Sequence, residues 1–193
     1  MRSQIPGIPK KEVSDMKSEI DEHIAKYTPF SLALLEVNIN DSMPWYDAYG
    51  PDQRELAMRA YFKAMVIHGL REERAYGSER LFTIGRASDD KFLLIDIGNP
   101  DNLEGIAARL KERIDNTVIP NPENLLSKTY QWKGETFHLD PTHRTVRVGV
   151  AYQHQSPNGY DIDGLHQRML EVADEAKALP GQILVVEFKP TNQ

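Results

Sequence analysis

Cysteine is absent from this chain of 193 residues, which removes disulfides, thiolate nucleophiles and cysteine-type metal sites and fits a reducing cytoplasm. Long apolar runs are missing too. Nowhere do about 18 consecutive apolar residues occur, as a membrane span needs, and the opening Met1-Arg2-Ser3-Gln4-Ile5-Pro6-Gly7 has no apolar signal region. Charge of one sign is not concentrated anywhere: 23 Lys and Arg stand against 29 Asp and Glu, a net charge of -6 spread along the chain. That balance argues against a nucleic-acid partner and against contact with an anionic membrane. No glycine-rich phosphate loop of the P-loop or Rossmann type occurs, and no Gly-x-Ser-x-Gly elbow supports Ser-His-Asp catalysis. What is there is 40% apolar and 27% charged, the balance of a single soluble domain with a core of its own.

Hydrophobic spacing outlines the elements. Val13, Met16, Ile20, Ile24 and Tyr27 predict an amphipathic helix over Lys10 to Lys26, ended by Pro29. Phe30 to Val37 is a short apolar run that reads as a buried strand, and a polar stretch, Asn38 to Tyr49, follows it. From Asp52, a candidate N-cap, Leu56, Ala60, Ala64, Ile67 and Leu70 define a second helix. Arg80 to Ile84 and Lys91 to Ile97 flank the polar string Gly85-Arg86-Ala87-Ser88-Asp89-Asp90, which predicts a hairpin with an acidic turn. After Asn99-Pro100-Asp101, Leu103, Ile106, Leu110, Ile114 and Val118 form a third helical face, broken by Ile119-Pro120-Asn121-Pro122. Thr129 to Leu139 alternates around Lys133-Gly134, predicting a two-stranded excursion within a 120–143 insertion. Thr145 to Tyr152 reads as a strand, Leu165 to Leu179 as a helix and Ile183 to Phe188 as a closing strand. The order describes one α/β (α+β) domain over 1–193, with a ferredoxin-like or palm-type, mostly antiparallel sheet of about five strands flanked by helices.

Five strings lie on these elements in an order that resembles the GGDEF family of diguanylate cyclases, and the similarity covers nearly the whole chain. Ile5-Pro6-Gly7-Ile8-Pro9-Lys10-Lys11 is similar to the L-T-G-L-P-N-R start of that family's first helix. Phe30 to Asn38 resembles its first strand, which ends D-x-D, and Asp47-Ala48-Tyr49-Gly50 its N-D-x-Y-G string. Arg86-Ala87-Ser88-Asp89-Asp90-Lys91-Phe92 stands in the place of R-x-G-G-D-E-F, and Thr145 to Ala151 resembles T-V-S-I-G-V-A.

The resemblance implies a metal site at Glu36, Val37 and Asp90, with Mg²⁺ as the cofactor between carboxylates of the first strand and the hairpin. Glu36 is one methylene longer than the family's Asp, and the bland reading of both acids is an exposed strand end and an ordinary turn. Nucleotide contacts are implied at Tyr46, Glu55, Ser88, Asp89 and Lys177, for GTP or another purine nucleotide. The departures are severe. Ser88 and Asp89 replace two glycines whose lack of a Cβ admits the nucleotide, and the added negative charge opposes bound phosphates. Lys91 replaces the following acid, and an ammonium is a poor general base, so no catalytic residue is assigned. Tyr46 replaces a guanine-contacting Asn and Gln182 a usual arginine, while Lys177 would also suit a helix C-terminus on its own account. About two extra residues precede Gly50, and Pro44 would interrupt the phosphate-cradling loop. The product-inhibition pair would fall on Glu79 and Phe82, and neither residue type is present.

The expected function is therefore a degenerate GGDEF signalling domain of the cytoplasm, regulatory, nucleotide-sensing or dimerising, with a homodimer or another protein as partner. A divergent metal-dependent nucleotidyl cyclase that keeps Glu36 and Asp90 as metal ligands is the alternative. A ferredoxin-like binding module outside the family is a third reading. His138, Asp140 and His143 have a spacing that would hold a metal if the intervening proline turn folded back, with an exposed loop as the bland reading.

Overall fold

The computed structural model describes residues 17, 18, 20–22, 25, 31–76, 82–88, 90–97 and 100–190. Positions 17, 18, 20–22 and 25 are helical, as the N-terminal spacing predicts; the remainder of that predicted helix, the opening Ile5 to Lys11 string, Glu79 and Asp89 lie outside the described residues.

Five strands form one sheet in the order β2-β3-β1-β6-β7, where β1 is Ser31–Ile39, β2 Phe82–Arg86, β3 Lys91–Ile97, β6 Val146–His154 and β7 Ile183–Glu187. Pairing is antiparallel except between β6 and β7, which are parallel. A parallel pair needs a crossover, and α3, Ile162–Glu175, supplies it. Asp161 caps that helix, accepting a hydrogen bond from the Gly164 amide at 2.9 Å.

Strand β1 is central and buried along its whole length, so its alternation assigns each residue to one of two cores. Ala33, Leu35, Val37 and Ile39 pack with Trp45, Met58, Tyr61, Ile106 and Leu110 of α1, Ser42–Tyr76, and α2, Leu103–Asp115. Leu32 and Leu34 pack on the other face with Ile20, Leu165 and Met169. Each such fully buried aliphatic side chain contributes about 1.5–3 kcal/mol of transfer free energy. On that second face Gly149 of β6 is required by contact: a Cβ there would lie 2.4 Å from the Ala173 Cα of α3.

Helix α1 begins ten positions before the predicted cap at Asp52, so most of the stretch read as polar and irregular is helical. Two signals mislead. Pro44 lies in the first turn, where a missing N–H costs nothing. Gly50 adopts φ 81° and ψ 178°, a break between two helical segments, and Pro51 starts the second. At the end of α2, Val118 is not part of the buried face: the helix stops at Asp115, Val118 is 61% exposed, and Ile119 is buried in its stead. The hairpin β4, Lys128–Trp132, and β5, Glu135–Leu139, turns on Lys133 and Gly134, both at positive φ, as a two-residue connection of this twist demands.

Candidate functional site at the end of β1

Glu36 is 2% exposed and points to the α3 side of the sheet, the side of Leu32 and Leu34. A lone carboxylate buried there would cost several kcal/mol. Its charge is met from the neighbouring strand. Lys91 pairs with Asn38 in the β1–β3 register, so its side chain emerges on the same face and places Nζ 3.1 Å from Glu36 Oε1. The Asn38 amide donates to the same oxygen at 3.3 Å. Lys91 remains about one third exposed, with a side-chain accessibility of 32%, so one end of the pair reaches solvent.

Asp90 goes elsewhere. Its carbonyl accepts from the Ile39 amide at 2.9 Å, which continues the β1–β3 ladder by one position and sets Asp90 opposite Ile39. Position 39 is three residues from 36 on a strand of period two, so the two carboxylates belong to opposite faces. On the α1 side, Asp90 Oδ2 accepts from the Ser42 hydroxyl at 2.7 Å and Oδ1 from the Ser88 hydroxyl at 2.8 Å. Because Ser42 opens α1, the Asp90 carboxylate sits at a helix start, where negative charge is favoured.

Glu36 and Asp90 thus do not face each other: Lys91 meets one acid on the α3 side, and Ser42 at the start of α1 bonds the other. Val37 does not join them, since its side chain is in the α1 core and its backbone lies in a strand paired on both sides. Among the described residues no three acids or histidines are grouped so as to hold a metal ion.

The predicted nucleotide contacts are scattered in the same way. Tyr46 and Glu55 are both on α1, but Tyr46 packs on the first core with its ring edge-on to Trp45 at 5.7 Å and under the Arg54 guanidinium at 5.1 Å. Glu55 pairs with Arg59 one turn along. Ser88 faces Asp90, and Lys177 is exposed in a 3-10 turn, Ala176–Ala178, after α3. Gln182 holds a structural place: its Oε1 accepts from the Asn40 amide at 2.8 Å, and the same amide donates to Thr145 Oγ1 at 2.9 Å. Phe82 falls in β2, on the far edge of β3 from Glu36. His138 and His143 do not converge with Asp140 on a metal geometry. His138 Nδ1 lies 3.2 Å from Thr129 Oγ1, and Asp140 Oδ1 accepts from the Thr142 amide and hydroxyl at 2.7 and 2.6 Å. Burial opposes those bonds, yet they and the charge of His143 hold the Asp140 carboxyl below its ordinary range.

One residue near Glu36 escaped the sequence reading. His166 of α3 is half-buried, and burial pushes its imidazole below the ordinary value while the charge of Glu36 pulls the other way. Only its α3 position, three residues before buried Met169, would have pointed to it.

By sequence, no family profile and no curated protein matches this chain. Solved structures do match in shape. The FimX GGDEF domain from Pseudomonas aeruginosa superimposes with a TM-score of 0.64 at 14% identity, covering 95% of this chain and 98% of that one. The GGDEF domain of DgcB from Caulobacter crescentus, solved in complex with c-di-GMP, gives 0.66 at 10% identity over 95% and 94%. The diguanylate cyclase SiaD from Pseudomonas aeruginosa, solved with its activator SiaC, gives 0.64 at 16% identity, with 97% of this chain covered and 61% of that one. This is the GGDEF fold.

Within the GGDEF fold, the residues at the implied metal positions do not fit a divalent cation as they stand. An ammonium 3.1 Å from the Glu36 carboxylate occupies the electrostatic place a metal would take and repels a second cation. Both oxygens of Asp90 already accept from serine hydroxyls on the other side. No helix among the described residues is long and apolar enough to cross a membrane.

Proposed function

We propose that this chain is a GGDEF-fold signalling domain that does not convert nucleotides and works as a regulatory, nucleotide-sensing or dimerising module in cyclic di-GMP signalling. The observation that carries the reading is the Lys91–Glu36 ion pair, which puts a fixed ammonium where metal-assisted chemistry would need an open carboxylate. The parting of Asp90 from Glu36 points the same way, because two-metal or bridged-metal catalysis needs its acids within one coordination sphere. Ser88 in place of glycine and Lys91 in place of an acid remove the open backbone and the proton acceptor. Partner classes follow from the fold's neighbours: one is solved with c-di-GMP and another with a protein activator, so a nucleotide or a protein contact is the natural role for a domain without turnover.

The deciding experiment titrates GTP and ATP with Mg²⁺ or Mn²⁺ by calorimetry and analyses the products. No cyclic dinucleotide is expected under any of these conditions. Turnover that Glu36→Gln abolishes would establish the divergent cyclase instead, and binding without product would assign the nucleotide-sensing form of the role.

A further inference from the structure

We propose that β7 is a pairing edge for a second copy of this chain, joined antiparallel about a two-fold axis at Val185. The proposal rests on the dimerising form of the role given above and names its surface and partner. Strand β7 ends one side of the sheet, and among the described residues nothing pairs with its outer edge. Its sequence suits a different place. Ile183-Leu184-Val185-Val186 is an unbroken aliphatic run, the composition of a strand inside a sheet with both faces covered. Edge strands are ordinarily blunted by lysine, proline or a bulge, and none of these interrupts Ile183 to Val186. Helices α2 and α3 do pack on the two faces of β7. All four side chains nevertheless keep part of their surface in water, whereas Val148, Val150 and Ala151 beside them on β6 are fully buried. With β6 on one side and a helix over each face, the remaining exposure belongs to the outer edge.

The backbone specifies what fits there. Gln182 O accepts from the Val148 amide at 2.9 Å, and the Phe188 amide donates to Tyr152 O at 2.7 Å, so the even-numbered residues of this segment turn their polar groups toward β6. The N–H and C=O of Ile183, Val185 and Glu187 then point the other way, outward. An incoming strand has to present outward groups at the same spacing, and β7 itself does. Rotation about Val185 sets Val185 against its own copy and Ile183 against Glu187 of the partner subunit, so every outward N–H meets an outward C=O. On the α3 side the same register puts Leu184 across from Val186 of the partner subunit, apolar against apolar. Charge permits this register: Glu187, the only ionised residue of the strand, faces an isoleucine and not its own copy, and Lys189 of its own chain lies 3.5 Å from it. A two-fold contact of this kind closes on itself and stops at a pair. Strand β6 stands between β7 and β1, so the contact uses neither Glu36 nor Asp90.

The test is sedimentation equilibrium of the full chain over a range of concentrations, with no nucleotide or metal present. Wild type is expected to show a reversible monomer–dimer equilibrium. Val185→Pro removes an outward N–H and no bond to β6, an orientation in which an edge strand tolerates proline. It is expected to weaken the dimer at least about tenfold and to keep a cooperative unfolding transition. Because the chain has no cysteine, Val185→Cys reports the register directly. A hydrogen-bonded antiparallel pair holds its Cα atoms about 5.5 Å apart, within disulfide reach, so mild oxidation is expected to give a covalent dimer. Thr136→Cys, on the exposed face of the β4–β5 hairpin, is expected to give none. A wild-type chain that is monomeric throughout would overturn the inference, whatever foreign strand this edge accepts. So would a dimer that Val185→Cys does not cross-link, a result that stands even if Val185→Pro does not fold. Neither result bears on the product assay with GTP and ATP, so the pairing edge and the absence of turnover fall separately.

Discussion

Two polar regions of α1 and its surroundings solve the same problem by different means. From the two helical segments of α1, Trp45 and Tyr49 of the first and Gln53 and Tyr61 of the second donate to backbone carbonyls. Trp45 Nε1 reaches Asp140 O at 2.7 Å, Tyr49 Oη reaches Leu139 O at 2.9 Å, Gln53 Nε2 reaches Pro120 O and Pro141 O at 2.8 and 2.9 Å, and Tyr61 Oη reaches Arg144 O at 3.1 Å. Carbonyls of Pro120, Leu139, Asp140, Pro141 and Arg144 are thereby satisfied by neutral side chains from both segments. At the end of β1 the partners are charges that satisfy each other, Glu36 with Lys91, and acids held by hydroxyls, Asp90 with Ser42 and Ser88. The first pattern serves architecture, since every donor is matched to the chain itself. The second neutralises charged groups that apolar residues of similar volume would replace at no loss of stability.

Substitutions break this contrast in a graded way. Trp45→Ala should cost the most, about 3–5 kcal/mol, because a fully buried indole is lost along with its hydrogen bond; urea unfolding would measure it, and a loss under about 1 kcal/mol would mean the 120–144 segment is not pinned by these donors.

Next comes Lys91→Gln, which strands the Glu36 carboxylate. Removing one partner of a buried pair costs about 3–5 kcal/mol, and the partial exposure of Lys91 reduces that to about 2–3 kcal/mol. The double substitution Lys91→Met with Glu36→Leu should recover most of the loss, since the pair costs desolvation as well as gaining attraction. A double-mutant cycle reads the coupling, and additive losses would show that the two charges are independent.

Gln53→Ala follows at about 1–3 kcal/mol, through two carbonyls left without their donor, again by urea unfolding. Acidification should act more weakly through His166. Burial lowers its folded-state value below the ordinary 6.5, so the unfolded chain takes up the proton first; stability is fully present above 6.5 and is lost as pH falls toward the lowered value. His166→Gln should flatten that part of the pH–stability curve, and an unchanged slope there would sever the link. Smallest of all is Arg168→Ala: its pairs with Glu171 and Glu175 at 2.9 and 2.8 Å are on the surface of α3, and about 0–1 kcal/mol is expected.

Much of the fold was legible because local patterns and tertiary demands agree. Leu103, Ile106, Leu110 and Ile114 face the core as their spacing predicts, and Lys133-Gly134 makes the tight turn that its glycine signals. The start of α1 was hidden because Gly50-Pro51 reads as a boundary when it is a break between two helical segments. Val118 was misplaced because a helical period carries no information about where a helix stops once Asn116 caps it.

For the site, the sequence alone determined the inventory: an acid at 36, serine and acid before Phe92, a lysine at 91 and no glycine pair, hence no open nucleotide loop of the usual chemistry. Only the tertiary structure decided which charge meets which. Side chains on adjacent strands share a face according to register, and the register that sets Asn38 against Lys91 and Ile39 beside Asp90 is fixed by packing on two cores, not by any residue's own identity. That pairing gives Glu36 an ammonium and gives Asp90 the start of a helix, which is why two acids at the ends of neighbouring strands lie on opposite sides of the sheet.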